Sequence, residues 1–266
     1  MPSDTYTHGH HASVLRSHTW RTAENSAAYL LDRLAAGQDV LDVGCGPGTI
    51  TVGIGSLVAP GRVVGIDAAE EIVDRARQDE HPVNVSYEVA DVYSLPFDDG
   101  SFDVVHAHQV LQHLSEPVAA LGEMRRVLRP GGIVAVRDGD FGGFVWAPRD
   151  PVLDQWMDLY HRVTRRNGAE ADGGRFLPGW VRSAGFDAPV VSSSTWTFAD
   201  AETCAWWGGL WADRVRSSSF ADQAVAYGLA EIADLERIAG AFLRWSRHPD
   251  AVFVLPHIEV IATKGA

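Results

Sequence analysis

Short apolar runs alternate along the chain with stretches in which apolar positions recur every three or four residues. This pattern predicts strands over 40–43, 63–66, 83–89, 102–107 and 133–137, and helices from about 49, over 70–78 and over 118–128. Strands separated by helices at this spacing require βαβ crossovers, and therefore a parallel sheet in an α/β fold. Upstream, 22–36 places Ala23, Ala27, Leu30, Leu31 and Leu34 on one helical face, with Gly37 closing the run as a C-cap would. After Asp138 the rhythm changes. A long amphipathic helix is expected over 152–165, a glycine break at Gly173–Gly174, a strand over 190–198 and two or three helices within 201–245. A last strand over 251–262, apolar at Val252, Val254, Ile258, Val260 and Ile261, would close the sheet. No internal repeat or low-complexity stretch is present.

The run Val40-Leu41-Asp42-Val43-Gly44-Cys45-Gly46-Pro47-Gly48 carries an apolar strand straight into a glycine turn and then a helix. Glycines there permit positive φ and close approach of a ligand to the backbone. Their spacing of two, with Thr at 49, departs from the dinucleotide fingerprint and suits a ligand whose ribose and amino-acid portions lie along the loop. Asp67 ends the second strand, where a carboxylate accepts from both ribose hydroxyls. Asp91 follows the third strand and would accept from an exocyclic adenine amine. Each has a plainer reading: the loop as a tight turn, Asp67 as the N-cap of the next helix, Asp91 as a turn before Pro96. Their joint occurrence at consecutive strand ends describes an adenosine-shaped slot.

With these residues in hand, the stretch from about Val40 to Asp138 resembles the class I S-adenosylmethionine methyltransferases, and within them the ubiquinone/menaquinone-biosynthesis-like small-molecule group. The likeness rests on the glycine loop, on Asp67, on Asp91 with Leu95-Pro96-Phe97, on Ser101-Phe102-Asp103-Val104-Val105, on Gln109-Val110-Leu111-Gln112-His113-Leu114 and on Arg126-Val127-Leu128-Arg129-Pro130-Gly131-Gly132. The resemblance implies a Rossmann-like, seven-stranded, mostly parallel sheet whose last strand is antiparallel, with S-adenosylmethionine bound over strands one to four. It divides the chain into an N-terminal arm and helix over the cofactor (1–36), a cofactor-binding core (37–150), and the remaining strands with a helical substrate lid (151–266, the lid about 199–247). It also implies a cofactor-binding set of Gly44, Cys45, Gly46, Gly48, Asp67, Ala68, Ala90, Asp91, Val92, His108 and Gln109, with the backbone at His108 near the amino-acid end.

Methyl transfer from a sulfonium is an in-line displacement, and alignment alone can supply up to about 7–11 kcal/mol. A base is needed only where the acceptor sheds a proton, and His is tuned closest to neutral pH. His113, in a position that faces the acceptor cavity in similar proteins, is the candidate for a base or acceptor-orienting group, with a helix-start structural hydrogen bond as the competing role. His106, inside a strand, is expected to be packed. The N-terminal Tyr6-Thr7-His8-Gly9-His10-His11 could be a metal site, a tail, or an arm that folds over the cofactor. In the last case Tyr6 would shield the sulfonium, with His10 or Arg21 near the carboxylate. No Cys, Glu or further His follows at ligand spacing, and no metal is expected. Trp180, Trp196, Trp206, Trp207, Trp211 and Trp245, six of the nine tryptophans, are concentrated after the core. They suggest a lid with an apolar inner wall, although gluing of helices to the sheet or a dimer interface would look similar.

Composition narrows the partners. With 46% hydrophobic and 21% charged residues the chain is an ordinary globular one. A net charge of −13 without a Lys/Arg stripe disfavours nucleic acid. Two cysteines suit a reducing cytoplasm, and no run of about 18 apolar residues suggests a membrane span. The expected activity is methyl transfer to an oxygen or carbon of a small, largely apolar or aromatic metabolite by a monomer or homodimer. The alternative is a homologue that keeps the cofactor slot but catalyses a non-methylating step such as a cyclisation, or only binds.

Overall fold

The computed structural model describes residues 4–9 and 11–265. Among the described residues eight strands form one sheet: β1 (Val40–Val43), β2 (Val63–Asp67), β3 (Val85–Val89), β4 (Phe102–His108), β5 (Leu128–Gly139), β6 (Val145–Ala147), β7 (Asp187–Phe198) and β8 (Val252–Thr263). The order is β3-β2-β1-β4-β5-β8, with β7 along β8 and the short β6 pairing near its start. Strands β1 to β5 are mutually parallel, and β8 runs antiparallel to β5 and β7. The central strands are largely apolar because helices cover both faces, and their polar residues Asp42, His106 and Arg137 are themselves buried; β1 is buried at every position. Chain order reverses between β1 and β4, and a crevice opens at the carboxyl ends of the strands on either side of such a switch point.

One layer packs Leu121, Met124 and Val127 of the helix Pro117–Val127, and Leu177 and Val181 of the helix Gly173–Ser183, on Val105, Val134 and Val136. The opposite layer packs Ile54 and Val58 of the helix Thr49–Val58 and Val73 of the helix Glu70–Gln78 on Val40 and Val63. The third cluster is helical. Helices Ala201–Ser217, Ser219–Ala226 and Ile232–Trp245 lie between β7 and β8 in the chain, and the helix Pro151–Arg166 joins them through Trp156 and Tyr160.

The observed elements differ from the periodicity in three places. The helix expected over 22–36 is two single turns, Ala23–Ser26 and Ala28–Leu31, broken at Ala27. There the Asn25 carbonyl, which a continuous helix would offer to residue 29, accepts from the Trp196 indole at 2.9 Å. Gly37 therefore caps no helix; it turns at φ 90° and its amide donates to the Val58 carbonyl. The Gly173–Gly174 pair opens a helix instead of breaking the chain. A Cβ on Gly173 would lie 2.7 Å from Gln112 Cβ, and one on Gly174 2.8 Å from the Asp138 carbonyl oxygen, so these glycines let a helix start against β5. The helix Ala12–Thr19 and strand β6 carry no periodic signal strong enough to be expected.

Candidate active site

β1 ends at Val43 and the chain turns through Gly44, Gly46 and Gly48 at φ 65°, 57° and 82°. The Cys45 amide donates to the Ile66 carbonyl (2.9 Å), which ties the loop to β2. A Cβ on Gly44 would lie 2.4 Å from Val110 Cγ2, whereas on Gly46 the nearest atom would be His18 Nδ1 at 3.9 Å. Gly46 is thus the glycine whose peptide opens to free space, and Gly44 lets the loop close onto the segment after β4. Gly48 departs from the expected ligand-contacting set. It sits behind the loop as the left-handed N-cap of the helix Thr49–Val58, where a Cβ would strike the Tyr87 hydroxyl at 2.3 Å.

Asp67 closes β2 with Oδ2 accepting from the Gly46 amide (3.2 Å) and Oδ1 from the Ala69 amide (3.0 Å). The bond to Ala69 closes a turn before the helix Glu70–Gln78, whose N-cap is Ala69 and not Asp67, and each oxygen keeps a second lone pair. Asp91 accepts from the Tyr93 amide (2.9 Å), which makes it a turn residue as well. Both line one cavity of about 650 Å³, together with Gly44, Cys45, Gly46, Ala68, Ala90, Val92, His108, Gln109, His113, Tyr6 and Arg21. Segments that are distant in the chain converge there. Asp4 fastens the arm by accepting from the Tyr93 hydroxyl (2.6 Å) and the Ser115 amide (3.0 Å). Tyr6 packs edge-on against His113 with ring centroids 4.9 Å apart. His10 lies outside the described residues.

Gln109 is held at φ 54°, in the left-handed region, with its Oε1 accepting from Arg21 Nη2 (2.6 Å) and its Nε2 against His257 Nε2 (2.8 Å). Such a backbone is costly for a residue with a Cβ. It turns the chain sharply as it leaves β4 at the switch point. The donor set fits an adenosine ligand with an amino-acid tail: two carboxylates with spare lone pairs, an open glycine peptide, and a guanidinium beyond the loop.

A methyltransferase domain family matches residues 41–136. An uncharacterized methyltransferase of Schizosaccharomyces pombe is 34% identical over 97% of this chain and 96% of its own length. The 27-O-demethylrifamycin SV methyltransferase of Amycolatopsis mediterranei is 37% identical over 45% of this chain and 47% of its own. The crystal structure of the YcgJ protein from Bacillus subtilis superposes with a TM-score of 0.59 at 21% identity, covering 91% of this chain and 99% of that one. The chain belongs to the class I S-adenosylmethionine-dependent methyltransferases. S-adenosylmethionine is its cofactor, and no helix among the described residues is long and apolar enough to cross a membrane.

The lining of the methyltransferase cavity is also aromatic, with Phe141, Phe144, Trp196, Trp207 and Trp211 beside Leu255. Trp196, Trp207 and Trp211 of the tryptophan group therefore reach the site. Trp180 packs on the parallel-sheet core, and Trp245 donates its indole N–H to the Ala147 carbonyl (2.8 Å), so both glue helices in place. His106 is fully buried outside the cavity, with Nδ1 2.7 Å from Asp42 Oδ1, and Thr51 donates to the other carboxylate oxygen (2.6 Å).

His113 ends the 3₁₀ turn Leu111–His113, with Nε2 3.1 Å from Gln112 Nε2 and Nδ1 buried without a partner among the described residues. Burial first, then the positive fields of Arg21 and Arg214, push its pKa down to about 3. It is therefore neutral at pH 7 and a weak base. His8 and His108 are lowered well below the usual imidazole range, again by burial first and Arg charge second. Burial lowers Arg21 to about 9 and Arg214 to about 10, which leaves both charged at neutral pH.

Among the lining residues not named as site residues from the sequence are His8, Gln112, Phe141 and Arg214. Gln112 accepts from the Gly139 amide (2.8 Å) and so locks the 3₁₀ turn to the end of β5. Arg214 had a usable signal, because Trp207, Trp211 and Arg214 stand at i, i+4 and i+7 and share one face of a helix. The other three are set by contacts with segments far away in the chain, and no local pattern marks them.

Proposed function

We propose that this methyltransferase acts on an oxygen or carbon of a small, largely apolar, ring-containing acceptor. The observation that carries the reading is the aromatic wall of Phe141, Phe144, Trp196, Trp207 and Trp211, continuous in one cavity with the glycine loop, Asp67 and Asp91. Rings of this size favour flat apolar partners through buried area and quadrupole complementarity. The Amycolatopsis relative named for a rifamycin-type acceptor supports an oxygen target on a natural product.

In this reading Asp67 accepts from the ribose hydroxyls and Asp91 from the adenine amine, with Ala68, Ala90 and Val92 flanking the base. Gly44, Cys45 and Gly46 lie along the ligand's length. His108 and Gln109 border the amino-acid end, and Arg21 meets the carboxylate. When bound, the cofactor supplies an electrophilic methyl group on a sulfonium. Tyr6 presents its ring to that cation and, with the arm, excludes water. His113, neutral and weakly basic, orients the acceptor by a hydrogen bond and does not serve as a strong base.

The test is incubation with methyl-labelled cofactor and a panel of hydroxylated aromatics and quinones, with nucleosides and polar amines of similar size as controls. Label is expected only in the aromatic set, alongside S-adenosylhomocysteine in equal amount. Label confined to the polar controls would overturn the acceptor class, and conversion of an acceptor without S-adenosylhomocysteine would move the protein to a non-methylating step.

A further inference from the structure

The cavity carries a positive charge that no carboxylate among the described residues answers. Arg214 lines it, is 5% exposed, and lies 4.7 Å over the Trp211 ring. Its Nη2 donates to Ser17 Oγ (2.8 Å) and reaches the Ser13 carbonyl (3.5 Å); its Nε is buried with no hydrogen-bond partner. Among the described residues no carboxylate lies within ion-pair distance of it. The carboxylates on the cavity are committed elsewhere: Asp4 to Tyr93 and Ser115, Asp42 to His106 and Thr51, Asp67 to Gly46 and Ala69, Asp91 to Tyr93. The titratable groups near it are neutral His8 and His113, the phenols Tyr6 and Tyr160, and the cation Arg16, which pairs with Asp213; none of them supplies it a negative charge. Arg21, the second cation, donates to Gln109, also has a buried Nε without a hydrogen-bond partner, and lies 5.6 Å over the Trp196 ring; the reading above assigns it the cofactor's carboxylate.

A guanidinium taken out of water without a counter-ion costs several kcal/mol, and a chain keeps such a group where something else pairs with it. Pinning the helix Ala12–Thr19 to the helix Ala201–Ser217 uses only Nη2 and two neutral oxygens, a task that a neutral amide could perform. A planar fork of donors beside an aromatic wall is instead the arrangement that fits a carboxylate or an ionised hydroxyl carried on a ring.

We propose that the acceptor bears an anionic oxygen, a carboxylate or an ionised hydroxyl on its apolar frame, and that the Arg214 guanidinium meets that charge inside the cavity. This rests on the apolar-acceptor reading and narrows it. Arg21 and Arg214 then divide two anions between them, one on the cofactor's amino-acid end and one on the acceptor. Arg214 becomes a specificity residue for the methyl acceptor.

The test is titration of the full chain, saturated with S-adenosylhomocysteine, with 2-naphthoate, 2-naphthamide and 2-naphthol, followed by calorimetry and by absorbance of the naphthol. The naphthoate is expected to bind at least about tenfold more tightly than the isosteric amide. Arg214→Gln should remove that ratio and Arg214→Lys should keep part of it, while both variants retain their affinity for S-adenosylhomocysteine. A merely structural role would weaken both naphthalenes together and leave the ratio unmoved. Bound naphthol that is ionised at a pH where the free compound is not would assign an oxyanion of the hydroxyl type, and a preference confined to the naphthoate would assign a carboxylate. Equal binding of naphthoate and amide to the unsubstituted protein, or a ratio that survives in Arg214→Gln, overturns the charge contact and leaves the apolar-acceptor reading standing. No binding of any naphthalene overturns both.

Discussion

On the reading proposed above, the two halves of the cavity are built on opposite plans. The adenosine half comes from loops that directly follow β1, β2 and β3, so Gly46, Asp67 and Asp91 each stand at the end of a strand whose neighbours are already in register. It is polar and acidic, and its carboxylates are anchored by peptide amides, Asp67 by Ala69 and by Gly46 of the loop after β1, Asp91 by Tyr93. The acceptor half is aromatic and cationic, and it is assembled from the segment after β5, β7 and the helix Ala201–Ser217, with the arm, whose Tyr6 and Arg21 are assigned to the cofactor, between the two. Tyr6 and Trp211 share one cavity although 205 residues separate them in the numbering. A local plan gives a slot that survives changes elsewhere. A dispersed plan gives a wall that exists only when the whole helical layer is packed, and one that can be altered without disturbing the slot.

The sharpest way to break this comparison is to open the dispersed wall. Trp211 is 1% exposed and packed between Trp156 and Phe242, so Trp211→Ala should cost about 3–5 kcal/mol of unfolding free energy in urea. The folded variant should still bind S-adenosylhomocysteine within about threefold of the parent. Cofactor affinity that collapses together with stability would show the halves to be one unit. The reciprocal change is Asp67→Ala, which removes an acceptor for charged hydrogen bonds worth about 2–3 kcal/mol. The dissociation constant for S-adenosylhomocysteine should rise roughly 30- to 100-fold by calorimetry. Binding of a naphthalene probe that falls by the same factor would again deny the division.

A smaller effect sharpens the comparison through pH. His8, His108, His113 and His257 are neutral in the fold because burial lowers their pKa values. The unfolded chain takes up protons at these positions below about pH 6.5, the fold does not, and stability is lost as pH falls. Removing one of them, as in His113→Asn, should shrink the loss between pH 7.5 and pH 5 by about 1–2 kcal/mol, read from urea midpoints. Asp138 has the opposite sign. Burial raises it to about 7 against the partial pull of the Val110 and Gln112 amides, so its contribution is full below about pH 3.8 and is lost as pH rises through 7. Asp138→Asn should accordingly gain about 1–3 kcal/mol at pH 8 and steepen the acid limb, and an unchanged profile would mean that Asp138 stays ionised in the fold.

The alternating rhythm of apolar runs determined the parallel sheet, because a strand buried on both faces admits little but apolar residues and a crossover must carry a helix. The glycine loop and the two strand-end acids were legible for a related reason: each is positioned by its own strand, so spacing along the chain maps directly onto space. The break at Ala27 was not legible, since the group that takes the Asn25 carbonyl is an indole 171 residues away. Gly173 and Gly174 read as a break because glycine is permissive, and only packing shows that they were selected for closeness to Gln112 and Asp138. The tryptophans announced an apolar wall without saying which of them face it. Trp196, Trp207 and Trp211 turn toward the cavity while Trp180 and Trp245 turn away, and Arg214 is left without a counter-ion among the described residues. Those orientations are set by contacts between helices remote in the chain, which a one-dimensional pattern of apolar and polar residues does not encode.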